Sequence, residues 1–279
     1  MGSCTDLVAT VIQPLKLYYK KEYGIGPYTT LLDPKRAKDI IISGKVSGFS
    51  ENVAYVFKKQ LEESDIIGVN KIDTLSPLKT RQIIAAIQKR FPRAKVIGMS
   101  CRTGKGFEEW IKILESKCKS GLNIPDIDYD LYAKGEAELA WFNFAANLYA
   151  KSGFSGDKFL QGLVVNIKNA LKKLNIEAAH IKMALATECG NSMIHLTRTN
   201  GAVEFSKKEA GISDKARLII NARAHTDPDL LHKIIKSALA EICKKMKINI
   251  KEDSIQYFRP GRPVPVHRFA DTKNPKTLV

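Results

Sequence analysis

Between residues 5 and 120 short apolar runs alternate with amphipathic stretches, and this alternation restricts the fold more than any other feature of the chain. The runs at 28–32, 65–69 (DIIGV) and 95–99 (KVIGM) have the length and β-branched content of buried strands. Helical patterns lie between and after them, at 37–42, 50–62 (SENVAYVFKKQLE), 76–90 and 106–117. Strands separated by helices predict a parallel sheet of the α/β class. The punctuation agrees: Asp33-Pro34 is a helix start, and Ser76-Pro77 puts proline at a first helical position. A more irregular helical stretch, 7–19, is broken by Pro14.

The pattern then changes. Residues 121–130 have no periodicity and read as a linker. The stretch 132–149 reads as a helix with Trp141 and Phe144 on its apolar stripe, and 157–174 as another. Three β-like runs follow at 179–187, 192–197 and 216–225, and Asp227-Pro228 starts a helix to about 247. The expected division is 1–120 as an α/β part, 121–130 as linker, 131–258 as a helical plus three-stranded α+β domain, and 259–279 as an extended tail. No internal repeat is evident.

The composition, 44% hydrophobic and 27% charged, is that of an ordinary globular chain. No apolar run reaches the roughly 20 residues needed to span a bilayer, and the N-terminus lacks the basic start of a secretory signal. A cytoplasmic location is expected. The five cysteines form no C-x-x-C pair, which argues for reduced thiols and against a cysteine-built zinc site. The net charge of +16 is spread evenly along the chain, and most Lys pairs fall on helical segments. A solvated basic surface is the expected reading. Nucleic-acid binding is set aside, because 179–197 and 216–226 contain no aromatic residue to interleave with the cations.

One strand end carries chemistry. Residues 66–73 read IIGVNKID, and ligands of open parallel sheets bind outside the carboxyl ends of the strands. Asp73 offers a two-oxygen acceptor, which matches the adjacent N1–H and exocyclic amine of guanine. Adenine would leave that carboxylate unmatched, a loss worth roughly a hundredfold in affinity. The Lys71 stem can lie on the purine face, and Asn70 can tie neighbouring loops together. Residues 96–106 (VIGMSCRTGKG) repeat the strand-to-loop arrangement. Ser100, Cys101 and Arg102 would then fall beside the first loop, with backbone N–H groups available to the guanine carbonyl.

The succession strand-NKID, helix, strand-SCRTGKG, helix resembles the back half of a P-loop GTPase domain. The opening GSCTDL, the stretch YAKGEAELAWFN and the closing RPGRPVPVHRF are similar to the CobW-type GTPases, relatives of UreG, HypB and MeaB. The fold implied is a partial P-loop GTPase-type sheet followed by a smaller α+β domain. The resemblance implies GTP or GDP as ligand, a switch-like loop at Gly2, Cys4 and Asp6, and a metallochaperone or cofactor-insertion role toward a metallo- or corrinoid-enzyme client. A transition metal is implied without a site, since the family's Cys-x-Cys-Cys has no counterpart here. A non-catalytic nucleotide-binding or protein-interaction module of the same origin is the alternative.

The chain departs from that family in having no G-x-x-x-x-G-K-[ST] run; Thr103-Gly104-Lys105-Gly106 lacks the spacing. Mg²⁺ would matter only with a phosphate-binding half present. A partner protein supplying that half is expected, through a split gene, a truncation or a late start codon, with loss of the motif as the remaining option. The histidines His180, His195 and His225 fall on β-like runs but lack ligand spacing, and a Cys189–His195 nucleophile pair has only proximity in sequence in its favour.

Overall fold

A computed structural model describes residues 6–19, 21–44, 48–116 and 120–269. The chain divides into two compact units, one comprising Met1–Gly135 with Arg262–Val279, the other Glu136–Gly261. It is α/β, with one parallel and one antiparallel sheet among the described residues. No helix of these residues is long and apolar enough to cross a membrane.

In the first unit a π-helical segment, Val8–Ile12, runs into α1 (Gln13–Tyr18). The sheet holds β1 (Thr29–Leu32), β2 (Ile66–Val69) and β3 (Lys95–Gly98), all parallel and in the order β1-β2-β3. Between β1 and β2 lie α2 (Pro34–Arg36), its π-helical continuation Ala37–Ile42, and α3 (Glu51–Glu62). Between β2 and β3 lie a 3₁₀ turn, Ile72–Thr74, and α4 (Pro77–Arg90); α5 (Phe107–Glu115) follows β3. Asp33 caps its helix as read from the residues, and Ser50 and Ser76 cap theirs as well. The Asp33 carboxylate accepts from Lys35 N and Arg36 N, the Ser50 hydroxyl from Val53 N, and the Ser76 hydroxyl from Lys79 N. As the central strand, β2 is buried along its whole length. Leu32, Leu61, Ile67, Val69, Ile87 and Val96 form the core around it. Residues 262–269 return to this unit: Phe269 is 1% exposed and its N–H donates to Ala9 O.

After residues 121–128, which hold no helix or strand, comes α6 (Tyr129–Ala137). The second unit corrects the sequence reading. Most of the stretch expected as a helix at 132–149 is a strand, β4 (Leu139–Ser155). Its burial has period two, with Phe142, Phe144, Ala146 and Leu148 inside. Trp141, Phe144 and Leu148 are also three and four residues apart, so the same residues fit a helical stripe. Pairing decides between the two readings, because β4 is hydrogen-bonded on both edges, to β8 (Ile212–His225) and to β9 (Asn249–Phe258). The sheet is six-stranded rather than three-stranded, in the order β7-β6-β5-β8-β4-β9. Its other members are β5 (Ala178–Thr187), β6 (Gly190–Leu196) and β7 (Glu204–Lys208). With α7 (Gly156–Lys173) and α8 (Pro228–Met246) it forms two interlocked split β-α-β units, extended by the β6–β7 hairpin. Both helices bury their apolar stripes, including Phe159, Leu163, Ile167, Ile235 and Leu239, in the core that contains the inward side chains of β4.

Candidate functional site

The two strand ends singled out in the sequence are joined by hydrogen bonds. The β2–β3 register closes on Val69 opposite Gly98. Beyond it Met99 N donates to Val69 O at 2.8 Å, and Ile72 N to Met99 O at 3.3 Å. The Asn70 side chain completes the join: its Oδ1 accepts from Lys71 N at 2.8 Å and from Cys101 N at 2.9 Å. Asn70 therefore ties the two loops together. The Cys101 amide is committed to this bond, so it braces the loop internally instead of pointing a donor at a guanine carbonyl.

Lys71 takes the left-handed conformation, with φ of 61°, and its Nζ lies 3.2 Å from Asp33 Oδ2. Asp33 was read only as a helix cap. One carboxylate oxygen caps α2 while the other holds the Lys71 ammonium, so Asp33 belongs to the site. A strand-end Asp in an adjacent parallel strand was the available signal. Asp73 sits on the 3₁₀ turn, is exposed, and makes no hydrogen bond or ion pair among the described residues. Ser100 is fully buried; its Oγ accepts from Thr103 N at 3.2 Å, while its N donates to Lys105 O at 2.8 Å. Cys101 and Arg102 are exposed. The arrangement is a rigid double loop with an unmatched carboxylate on one side and an exposed turn on the other.

The rigidity depends on Gly106. Its φ is +81°, and a Cβ there would stand 2.3 Å from Gly98 O and 3.1 Å from Met99 Cα. Gly104 has a similar φ of +78° with nothing within 4 Å. Gly104→Ala is expected to cost about 1 kcal/mol, the left-handed penalty alone. Gly106→Ala must also push the loop off β3 and should cost about 3 kcal/mol or more. Urea unfolding of the two variants checks this, and equal losses would mean the Gly98 contact does not matter.

The switch-like residues Gly2 and Cys4 lie outside the described residues. Asp6 is described, is 2% exposed, and has φ of 66°. Its Oδ2 accepts from the Tyr129 hydroxyl and, at 2.7 Å, from Arg268 Nε. Burial and then the bond to Asp6 push the Tyr129 hydroxyl up to about 12. Asp6 is thus held by α6 and the returning residues 262–269.

No group of three His, Cys, Asp or Glu among the described residues is placed to hold a metal. Each histidine on the sheet has its own partner: His180 Nε2 meets Asn221 Oδ1 at 2.7 Å, His195 meets Glu204 at 3.3 Å, and His225 meets Glu138 at 3.0 Å. Burial lowers His180 to about 4, so it is neutral. The Cys189 thiol faces Ile212 O at 3.2 Å, and so makes no pair with His195.

No family model matches the chain, and no curated protein matches it. Among solved structures, a hydantoinase/carbamoylase family amidase from Burkholderia ambifaria is 10% identical, with a TM-score of 0.28, over 43% of this chain and 28% of its own. The Zn(II)-bound YjiA GTPase from E. coli is 12% identical, with a TM-score of 0.26, over 83% of this chain and 66% of its own. A Zn(II)-bound triple mutant of YjiA GTPase gives the same identity and coverage, with a TM-score of 0.27. The chain spans under two thirds of the length of each.

Proposed function

We propose that the joined ends of β2 and β3 bind the base of a guanine nucleotide, and that the chain is a CobW-like GTP-binding protein acting as a metallochaperone or cofactor-insertion chaperone. The observation that carries the base assignment is the Asn70 bridge to Cys101 N, which fixes both loops while Asp73 stays exposed and unmatched beside them. In this reading Asp73 takes the N1–H and amine of guanine, Lys71 covers the ring with its stem, and Asp33 sets the position of that stem. A partner supplying phosphate contacts, and a metallo- or corrinoid-enzyme client, belong to the same proposal. The non-catalytic alternative shares the base site and differs only in lacking turnover.

Calorimetric titration with GDP, GTP and ATP, with and without Mg²⁺, tests the base site. Guanine nucleotides should bind weakly, in preference to ATP and with little Mg²⁺ dependence. Asp73→Asn should lower GDP affinity roughly a hundredfold, because the amide presents a donor where guanine also presents one. The same variant should gain xanthosine diphosphate, whose C2 oxygen accepts from that amide. An Asp73→Asn protein that binds GDP as well as the parent would remove the assignment.

A further inference from the structure

α7 and α8 pack on one face of the second unit's sheet, whereas the other face is covered at its Arg223–Trp141 end by Glu136 of α6 and carries neither of those helices. We propose that the part of this face beyond Arg223 binds single-stranded nucleic acid, independently of the base site in the first unit. The lack of aromatics in 179–197 and 216–226 argues against nucleic acid on sequence alone. β4 and β9, which are not legible as strands there, supply the missing rings.

The register shows how the face is built. Trp141 lies between Arg223 on β8 and Phe258 on β9, and stacks on the Phe258 ring at 5.8 Å with an interplanar angle of 18°. Phe258 remains 43% exposed. Eight residues along β4, about 26 Å at strand rise, Tyr149 is 39% exposed. Between these rings Asn143 pairs in register with Asn221, and Ile219 is 50% exposed. Asn221 accepts from His180 and donates to Asn143 Oδ1, which leaves the Asn143 NH₂ unspent among the described residues. Aromatic faces stack on unpaired bases without regard to sequence, and amides meet base edges.

Charge selects the occupant. Lys182 stands beside Asn221, Lys215 opposite Tyr149, and Lys251 opposite Asn147. All three are exposed, and among the described residues none has a carboxylate partner. Among the carboxylates on this side, Asp253 is engaged by Arg217 and Asn147, Glu204 by His195, and Glu136 by Arg223. Uncompensated cations around exposed rings fit a polyanion with stackable bases better than they fit an apolar helix or a second, equally positive copy of the face.

The test is fluorescence anisotropy of the full chain with labelled oligouridylate RNA and oligothymidylate DNA of about 12 nucleotides, within the usual single-strand site sizes. Micromolar binding that weakens with salt is expected, and the RNA and DNA arms show which strand is preferred. Tyr149→Ala should weaken binding roughly tenfold. The double variant Lys182→Glu, Lys215→Glu should weaken it further and flatten the log–log salt slope by about 1.4. A control with the same charge change on the opposite face, Lys158→Glu with Lys233→Glu, should stay within about twofold of the parent after allowance for net charge. Circular dichroism of each variant separates lost binding from lost fold. The proposal is overturned by no binding in either arm, by equal losses in the control, by equally tight binding of duplex, or by self-association through this face without nucleic acid.

Discussion

Replacing Glu136 by alanine is expected to destabilise the second unit by about 3–5 kcal/mol. Glu136 Oε2 lies 2.9 Å from Arg223 NH2, with the two side chains 7% and 5% exposed. The guanidinium also lies over the Trp141 ring, 4.1 Å from its centroid. Burial raises the Glu136 carboxyl, and the charge and hydrogen bond of Arg223 oppose that rise. Removing the carboxylate leaves Arg223 at a site with little water and without this counter-charge, which is far worse than never having buried a pair there. The melting temperature should fall by roughly 10–20 °C, and Trp141 fluorescence should report the loss, since the guanidinium lies over its ring. The double variant Glu136→Leu, Arg223→Met should recover most of the stability, because an apolar pair of similar volume removes both desolvation costs. A single variant that melts within 2 °C of the parent (under about 1 kcal/mol) would show that the pair is not thermodynamically coupled to the fold.

The same pair marks where sequence reasoning lost its way. Glu136 and Arg223 are 87 residues apart, and only the strand identity of β4 brings them into one neighbourhood. In LAWFNFAANLYA the alanines and leucines favour a helix, whereas the aromatics and the strict inward alternation favour a strand. Local propensity was nearly balanced, and two neighbouring strands resolved it. β9 was missed for a related reason. Its sequence, NIKEDSIQYF, is mostly polar because it is an edge strand, exposed along its length except at the half-buried Ile250 and Ile255. The β7 strand is shorter, and likewise lies at an edge.

The first unit was easier to read because its strands are short, apolar and flanked by strong caps. Asp33, Ser50 and Ser76 all cap the helices they precede, and β2 is buried on every residue. The pairing of the NKID and SCRTGKG loops followed from adjacency of parallel strands. The details did not. The 3.2 Å approach of Lys71 to Asp33 depends on the left-handed turn at Lys71, and nothing in the residue type signals that conformation. The commitment of the Cys101 amide to Asn70 is likewise a matter of geometry, which the one-dimensional pattern cannot carry.

Raising the pH from about 5 to about 9 is expected to destabilise the first unit by on the order of 4 kcal/mol, through Glu63 alone. Glu63 is fully buried; its Oε2 accepts from Val8 N at 3.3 Å, and its Oε1 has no partner. Burial, helped by the nearby Asp6 charge and opposed by backbone N–H groups, raises its carboxyl from 4.5 to about 8. Arg268 and Tyr129 are engaged by Asp6, so they do not neutralise Glu63 directly. Between the two values the folded chain holds a proton that the unfolded chain has released. Stability from this group is therefore complete below about 4.5 and is lost as pH rises through 8. Glu63→Gln keeps the shape and an acceptor for Val8 N but cannot ionise. Its urea midpoint should be nearly level with the parent's at pH 5 and clearly above it at pH 9. Comparing parent with variant at each pH cancels the titration of every other group. If the two curves stay parallel across that range, Glu63 is already charged in the folded protein, and the source of the pH dependence must be sought elsewhere.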